Sequence, residues 1–253
     1  MLYTPLLKKQ RSCYVLSKQA VKKMPNFANL TDILTGKSCE HLIALPNALS
    51  DKHALQPEAV KAFLTLQQAA QNAGFNLQPA STFRNFERQK LIWNAKFNGE
   101  RKVHNDKGNA IELEGLSDWQ KCQAILRWSA VPGASRHHWG TEIDFFDPDA
   151  LPEGKKLMLE PWEYQTGGYF QRLTNWLLAN AETFGFYFPF MPENNEGKLI
   201  GVEPWHISYF PIAEFYQQQF ATNHLTQAWE AEEIAGKEAL IAHFDTLFKD
   251  YIL

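Results

Sequence analysis

The chain has 253 residues, a formal net charge of −3 and a sequence pI near 6.2. This length can bury a sizeable core in one large domain or in one domain with appendages, and a composition of 45% hydrophobic and 21% charged residues is ordinary for a globular protein. Nothing in the charge argues for nucleic acid as a partner, and the lack of any run of about 18 or more apolar residues predicts no membrane span.

The N-terminal segment MLYTPLLKKQRSCYVLSKQ carries basic residues where a secretory signal peptide has its apolar segment. We therefore expect a cytoplasmic protein, or a periplasmic one if a leader has been removed. The first 52 residues contain only short, irregular pieces, and we predict that they form an irregular extension packed on the core.

The part of the chain that follows mixes helices and strands. Pro57 suits the first turn of a helix and Gly74 its end, and the apolar residues between them recur at helical spacing. Beyond this helix we predict a strand at 75–83, a helix at 84–99, a helix capped by Ser117 and a strand at 140–146.

The second half of the chain continues the mixture. We predict a long connection at 147–168, a helix at 169–184, strands at 186–190 and 203–210, and two C-terminal helices at 212–220 and 225–251. The elements show no steady βαβ rhythm, and the chain has no GxGxxG or Walker loop. We therefore predict an α+β fold, in which helices flank a small, mostly antiparallel sheet and a helical extension ends the chain.

The segment PGASRHHWGTEIDFFDP, residues 132–148, joins two histidines to three acids. Alternate residues of a strand share a face, so Glu142 and Asp144 are expected to point to one side while their apolar neighbours pack on the other. A histidine from the preceding turn, such as His137, can converge with Asp144 on one metal ion. Two ligands do not make a catalytic zinc site, which needs three protein ligands and an open position.

A second acid–histidine pair lies in EPWHISY, where Glu203 and His206 flank Pro204 and Trp205. Since Pro204 disfavours helical geometry at Glu203, both side chains are expected to face one cavity from a bend that enters a strand. One of them can then bind metal while the other holds the attacking water. A single histidine is more often structural than a ligand, and it is the two clusters together that favour a metal site.

Three segments together resemble the signature segments of the zinc D-alanyl-D-alanine carboxypeptidases of the VanY kind, which share a fold with the VanX dipeptidases and the Hedgehog signalling domain. They are LQPEAVKAFLTLQQAAQNAGFNLQPASTFRNFERQ, PGASRHHWGTEID and EPWHISY, in the family's order. The family pattern is Ser-x-His-x-x-Gly-x-Ala-x-Asp followed later by Glu-x-Trp-His. The resemblance implies a zinc peptidase domain at 53–210, between an N-terminal extension at 1–52 and a helical extension at 211–253.

The resemblance implies a role for each matching residue. His137, Asp144 and His206 take the places of the zinc ligands, and Glu203 takes the place of the catalytic base. Zinc suits this set because it combines imidazole and carboxylate donors without a thiolate.

Arg84 takes the place of the arginine that stabilises the polarised substrate carbonyl. Without the resemblance, an ion pair with Glu87 or Glu203 would be the simpler explanation of this arginine. Positions that contact substrate in relatives fall on Ser81, Gln89 and Ser135.

The chain departs from the family pattern at several positions. Glu142 stands where a small residue is common, and it could compete as a ligand or place a second charge in the cleft. His138 lies outside the motif, and we predict that it supports the site or contacts the substrate. STFRNF stands where SGYRSY is more usual.

The activity implied by the resemblance is zinc-dependent removal of the C-terminal D-amino acid from peptidoglycan peptides, at a D-Ala-D-Ala type bond. An L,D-carboxypeptidase or a wall endopeptidase on the same fold is the first alternative, and a non-catalytic, Hedgehog-like zinc-binding module is the second. Glu203 and Arg84 argue against the second, since a pure binding module has no need of a base that activates water. The expected partners are peptidoglycan peptides or muropeptides, and the oligomeric state is left open.

Overall fold

The computed structural model describes residues 30–252. The predicted N-terminal extension therefore lies outside the described residues up to residue 29. Its described part contains helix α1 (Leu30–Leu34) and strand β1 (Ile43–Ala44), which pairs antiparallel with β2 (Ala54–Leu55). Within residues 30–252, no helix is long and apolar enough to span a membrane.

The first half of the predicted elements is confirmed with shorter bounds. Helix α2 (Pro57–Asn72) carries its proline in the first turn, and α3 (Phe86–Phe97) begins after Asn85, whose side chain accepts a hydrogen bond from the backbone of Arg88. Ser117 forms a capping box with Gln120. The elements in order are α2, β3 (Gln78–Ser81), α3, β4 (Val103–His104), β5 (Ala110–Ile111) and α4 (Asp118–Leu126).

The second half begins with a short 3-10 helix (Arg136–Trp139), which leads into β6 (Glu142–Phe146). The connection that follows contains α5 (Pro161–Tyr164), and α6 (Gln171–Asn180) continues into a second 3-10 helix (Ala181–Phe184). The remaining elements are β7 (Phe186–Tyr187), β8 (His206–Tyr209), α7 (Phe210–Gln219), α8 (Thr222–Trp229), α9 (Lys237–Ala242) and α10 (Phe244–Tyr251).

The main sheet has the strand order β3-β6-β8-β7, and each neighbouring pair is antiparallel. Its register pairs Asp144 with Ser81 on one side and with His206 on the other, so these three residues form a row across three strands. A second row, one pleat along the strands, consists of Glu142, Ser208 and Tyr187. Because Glu142 and Asp144 are two residues apart, both rows face the same side of the sheet.

Two apolar clusters hold the described residues together. One lies between α2, the sheet and α6, and its central members are Phe63, Leu66, Ile143, Phe145 and Ile207. The other joins α3 and α4 to the C-terminal helices through Trp93, Ile125, Leu225, Trp229 and Leu247. The C-terminal helices therefore support α3, the helix that follows Arg84.

The prediction of one long helix at 225–251 is wrong. The segment forms α8, α9 and α10, and Gly236 lies directly before α9 with φ of +71° in the left-handed region. A Cβ at this position would lie 2.5 Å from the ring of Phe97. The glycine thus allows both the reversal of the chain and its close approach to α3.

Candidate metal centre

The 3-10 helix holds His137 next to the sheet, and Gly140 turns the chain from this helix into β6. Gly140 has φ of +68°, and a Cβ there would collide with the side chain of Leu42. The carbonyl of Gly140 accepts a hydrogen bond of 2.8 Å from the amide of Gln56. This turn leaves Asp144 facing the same space as His137.

Three side chains converge on that space. The ligand atoms of three residues lie within 4.8 Å of one another: one each from His137, Asp144 and His206. Among the described residues, these three form the group of histidines, cysteines or acids that could hold a metal ion. The Asp144 carboxylate lies 3.3 Å from Nε2 of His137 and 2.9 Å from Nδ1 of His206. The two imidazole rings are nearly perpendicular, with centroids 4.9 Å apart.

Each imidazole has its outer nitrogen engaged elsewhere. Nδ1 of His137 donates a hydrogen bond of 2.6 Å to the carbonyl of Thr82, which leaves Nε2 facing Asp144. Nε2 of His206 donates to Glu142 over 2.6 Å, which leaves Nδ1 facing Asp144. Burial opposes a charge on His206, but the hydrogen bonds to the two carboxylates raise its pKa to about 9. Burial lowers the pKa of His137.

Glu203 lies at the same centre, at the bend that enters β8. Its Oε2 is 3.6 Å from Nδ1 of His206, and only 13% of its side chain is exposed. The amide of His206 bonds to the carbonyl of Glu203, so the predicted bend brings both side chains into one cavity. Burial, reinforced by the charge of Asp144, raises the pKa of Glu203 to about 7.

Arg84 points its guanidinium at this centre. Its Nη1 donates to Oε1 of Gln89 over 2.9 Å, its Nη2 donates to the Ser81 hydroxyl over 3.3 Å, and Nη2 lies 3.9 Å from Asp144. Of the two ion-pair partners considered for Arg84, Glu87 pairs with Lys90 at 3.0 Å, whereas the charge of Glu203 acts on Arg84 together with that of Asp144. Arg84 therefore stands at the edge of the cluster with a fixed orientation.

Two of the predicted substrate contacts, Gln89 and His138, lie in fully buried positions, and a role in contacting substrate stays a prediction for both. Gln89 is fully buried, its amide nitrogen donates to the carbonyl of Ala130 over 2.7 Å, and its Oε1 accepts from Arg84, so it holds the guanidinium in place. His138 is also fully buried, with Nδ1 donating to the carbonyl of Arg84 and Nε2 accepting from the amide of Gly133. Burial lowers the pKa of His138 to about 3, which keeps it neutral in this structural position.

Two other predicted substrate contacts lie near the centre and stay predictions. The Ser81 hydroxyl is half-buried in the same sheet row as Asp144. Ser135 is buried immediately before the 3-10 helix, and its carbonyl accepts from the amide of His138.

Two cationic residues near the centre, Lys96 and Arg136, were not predicted from the sequence. Lys96 lies on α3, and its Nζ donates to the Ser129 hydroxyl over 2.7 Å. Burial, together with the charges of Arg101 and Arg84, lowers the pKa of Lys96 to about 8. Arg136 is buried beside Glu142, with Nη2 3.3 Å from Oε1. Its place directly before His137 in the motif is the one sequence signal that could have indicated it.

Known proteins resemble this chain in sequence and in fold. An uncharacterized protein of Haemophilus influenzae is 52% identical over 123 residues, which cover 49% of this chain and 93% of that protein. A second uncharacterized protein of the same organism is 66% identical over 100 residues, covering 40% of this chain and 68% of that protein. The solved structure of the LdcB LD-carboxypeptidase has the same fold, with a TM-score of 0.52 and 19% identity over 78% of this chain and 87% of that chain.

The family assignment follows from the sequence itself. Residues 52–212 match the model of the VanY family, described as D-alanyl-D-alanine carboxypeptidase. The matched range contains the complete sheet and all the residues that converge at the centre. The match spans more than half of the chain, and the α+β fold agrees with it, so this protein belongs to the VanY family of carboxypeptidases.

Proposed function

We propose that this chain is a zinc-dependent carboxypeptidase that removes the C-terminal D-amino acid from peptidoglycan-derived peptides, at a D-Ala-D-Ala type bond. The observation that carries the proposal is the convergence of donor atoms from His137, Asp144 and His206 within 4.8 Å, next to Glu203 and Arg84. Membership of the VanY family supports the same class of reaction.

The donor set fits zinc. Two imidazoles and one carboxylate are typical of catalytic zinc sites, where three protein ligands leave one position open. His137 and His206 each donate their outer nitrogen to a protein oxygen, the arrangement that orients metal-binding histidines. When bound, zinc activates a water molecule and polarises the substrate carbonyl as a Lewis acid.

Glu203 is the group placed to move protons. Its carboxylate approaches the ligand set without being one of its three converging members, so its oxygens stay available to water. Glu203 accepts the proton of the attacking water and then delivers it to the leaving amine, the two transfers that peptide hydrolysis requires.

Arg84 stabilises the charge that develops on the substrate carbonyl oxygen. Gln89 and Ser81 hold its guanidinium in place before any substrate arrives. A preorganised cation of this kind contributes more than a mobile one, because it needs no reorientation as negative charge appears. The permanent charge of the guanidinium also makes this contribution independent of pH.

The charges around Glu203 favour a carboxypeptidase over an endopeptidase. Nζ of Lys96 donates to the Ser129 hydroxyl, and the next residue, Ala130, accepts a hydrogen bond from Gln89. The charges of Arg84 and Arg101 both act on Lys96. The charges of Arg84 and Lys96 both act on Glu203, so these two cations border the centre. A free C-terminal carboxylate is attracted to such a region, whereas the interior of a peptide has no charge there to offer.

The test uses the zinc-loaded full chain and a panel of defined muropeptides. The panel contains stems that end in D-Ala-D-Ala, stems that end in an L,D bond, crosslinked dimers, and D-Ala-D-Ala stems with an amidated C-terminus. Products are identified by mass spectrometry before and after removal of zinc by a chelator and again after zinc is restored.

We expect release of D-alanine from the free D-Ala-D-Ala stems, loss of this release with chelator and its return with zinc. Faster cleavage of the L,D stems or of the dimers would replace the proposed specificity by that of an L,D-carboxypeptidase or an endopeptidase. No product from any substrate, in protein that holds one zinc per chain, would identify a binding module instead.

A further inference from the structure

We infer that Glu142 is a positioning residue that presents Nδ1 of His206 to the metal ion by holding Nε2 from behind. The inference rests on the proposed zinc site and concerns a residue that departs from the small residue of the family pattern. It assigns Glu142 neither to the ligand set nor to the substrate cleft.

The contacts of His206 carry the inference. Its two nitrogens face two different carboxylates, with Asp144 2.9 Å from Nδ1 and Glu142 2.6 Å from Nε2. Nδ1 is the nitrogen on the side of Glu203, at 3.6 Å, and of the Asp144 carboxylate that also reaches His137. Since the two nitrogens of an imidazole lie on different sides of the ring, Glu142 is behind His206 and outside the converging donor set.

The sheet register explains this placement. Asp144 is paired with His206 across β6 and β8, while Glu142 is paired with Ser208, one step further along both strands. The second row thus lies on the same face as the metal row but one pleat away from it. From there a glutamate reaches the outer nitrogen of His206, whereas a small side chain leaves that nitrogen without this carboxylate.

The two oxygens of Glu142 have separate partners. Oε1 accepts from the Ser208 hydroxyl over 2.7 Å and from the Thr141 hydroxyl over 3.0 Å, and it lies 3.3 Å from Nη2 of Arg136. Oε2 is thereby left to Nε2 of His206. The Glu142 carboxylate is therefore held in place through Oε1 and accepts a hydrogen bond from the His206 imidazole through Oε2.

Arg136 supplies the counter-charge that a buried carboxylate needs. The side chains of Glu142 and Arg136 are 0% and 4% exposed, so neither charge is solvated by bulk water. Arg136 is itself anchored, since it donates to Gln217 on α7, to Tyr187 on β7 and to Ser208 on β8. These contacts hold the Glu142 carboxylate in place, opposite a cation, behind His206.

A carboxylate behind a metal-binding histidine has two effects. It selects the tautomer with the proton on Nε2, so that the lone pair of Nδ1 points at the ion, and it makes the imidazole a stronger donor. Loss of such a partner typically weakens metal binding about 10- to 100-fold. For this chain, Glu142 should therefore increase zinc affinity without contacting zinc.

The experiment compares the full-length wild type with Glu142→Gln and Glu142→Asp. The first variant removes the charge at constant size. The second keeps the charge opposite Arg136 but withdraws the carboxylate from His206, so it remains informative if the first does not fold. The matched control is Glu163→Gln, since Glu163 is also fully buried but accepts hydrogen bonds from the backbone amides of Met158 and Glu160.

Two readouts are needed besides folding, which circular dichroism checks. The apparent dissociation constant for zinc is measured by competition with a chromophoric chelator at constant pH. The visible absorption spectrum of the cobalt-loaded protein reports the coordination number of the metal. We expect both Glu142 variants to bind zinc about 10- to 100-fold more weakly with an unchanged coordination number, while Glu163→Gln binds zinc as the wild type does.

Each other outcome has a definite meaning. Wild-type zinc affinity in folded Glu142 variants would reduce Glu142 to a structural residue and overturn the inference. A changed coordination number in the cobalt spectra would make Glu142 a ligand and overturn it as well. A wild-type protein that binds no zinc would refute the proposed function and this inference together, which separates that failure from a failure of the positioning role alone.

Discussion

Glu203→Gln is the substitution that best separates catalysis from metal binding in this protein. The amide matches the carboxylate in size but cannot accept a proton at neutral pH. If Glu203 is the base, hydrolysis should collapse while zinc remains bound to His137, Asp144 and His206. The expected result is therefore a low kcat in a protein that still contains one zinc per chain.

The structure indicates how large the loss should be. General acid–base catalysis typically contributes about 10²- to 10⁴-fold, which corresponds to about 2.7–5.5 kcal/mol of transition-state stabilisation. The neighbouring carboxylates cannot substitute for Glu203, because Asp144 contacts both histidines and Glu142 is occupied by His206 and Arg136. We therefore expect the upper half of this range, a loss of about 10³- to 10⁴-fold.

The assay measures steady-state release of D-alanine from a D-Ala-D-Ala stem peptide. Elemental mass spectrometry measures the zinc content per chain of the same protein. Glu163→Gln is again the control, since it neutralises a buried carboxylate whose hydrogen bonds come from backbone amides and not from the converging side chains. Its kcat should equal that of the wild type. Retention of more than a tenth of the wild-type kcat in Glu203→Gln would refute the assignment of the base, and a parallel loss of zinc and activity would make Glu203 a ligand.

Three further predictions concern the surroundings of the site. Gln89→Leu removes the acceptor that orients Arg84, so kcat/KM measured on the same stem peptide should fall about tenfold, or about 1.4 kcal/mol, with zinc content unchanged. Lys96→Met should raise KM for stems with a free C-terminus and leave amidated stems unaffected, because only the former carry the charge that Lys96 attracts. Gly236→Ala should lower the free energy of unfolding in urea by about 1–3 kcal/mol, since φ is +71° and the new Cβ would meet Phe97 at 2.5 Å; an unchanged urea midpoint would contradict this reasoning.

Much of the local structure follows from short-range patterns. Pro57 and the apolar spacing behind it define α2, and Ser117 with Gln120 forms the predicted capping box. These features depend on neighbours a few residues apart, so the sequence contains all that they need. The common face of Glu142 and Asp144 is of the same kind, because side chains of a strand alternate whatever the strand pairs with.

The failures have a common origin in contacts between distant residues. The long C-terminal helix was predicted from apolar spacing that does continue through residue 236, and the close approach to Phe97 on α3 is what requires a glycine there. For His138, the sequence left open whether it supports the site or contacts the substrate. Adjacent residues of a 3-10 helix point in different directions, and the structure buries His138 between Arg84 and Gly133.

The sequence by itself determined the fold class, the helices with clear end signals and the residues that could make a VanY-type centre. Only the tertiary structure decided which atoms meet. Asp144 and His206 are 62 residues apart, and the pairing of β6 with β8 sets both their contact and the position of Glu142 behind the imidazole. Register is a property of two strands together, since a shift by one residue would turn every side chain to the other face. For that reason Glu142 is a candidate ligand in the sequence, whereas in the folded protein it lies behind the imidazole of His206 and bonds to its Nε2.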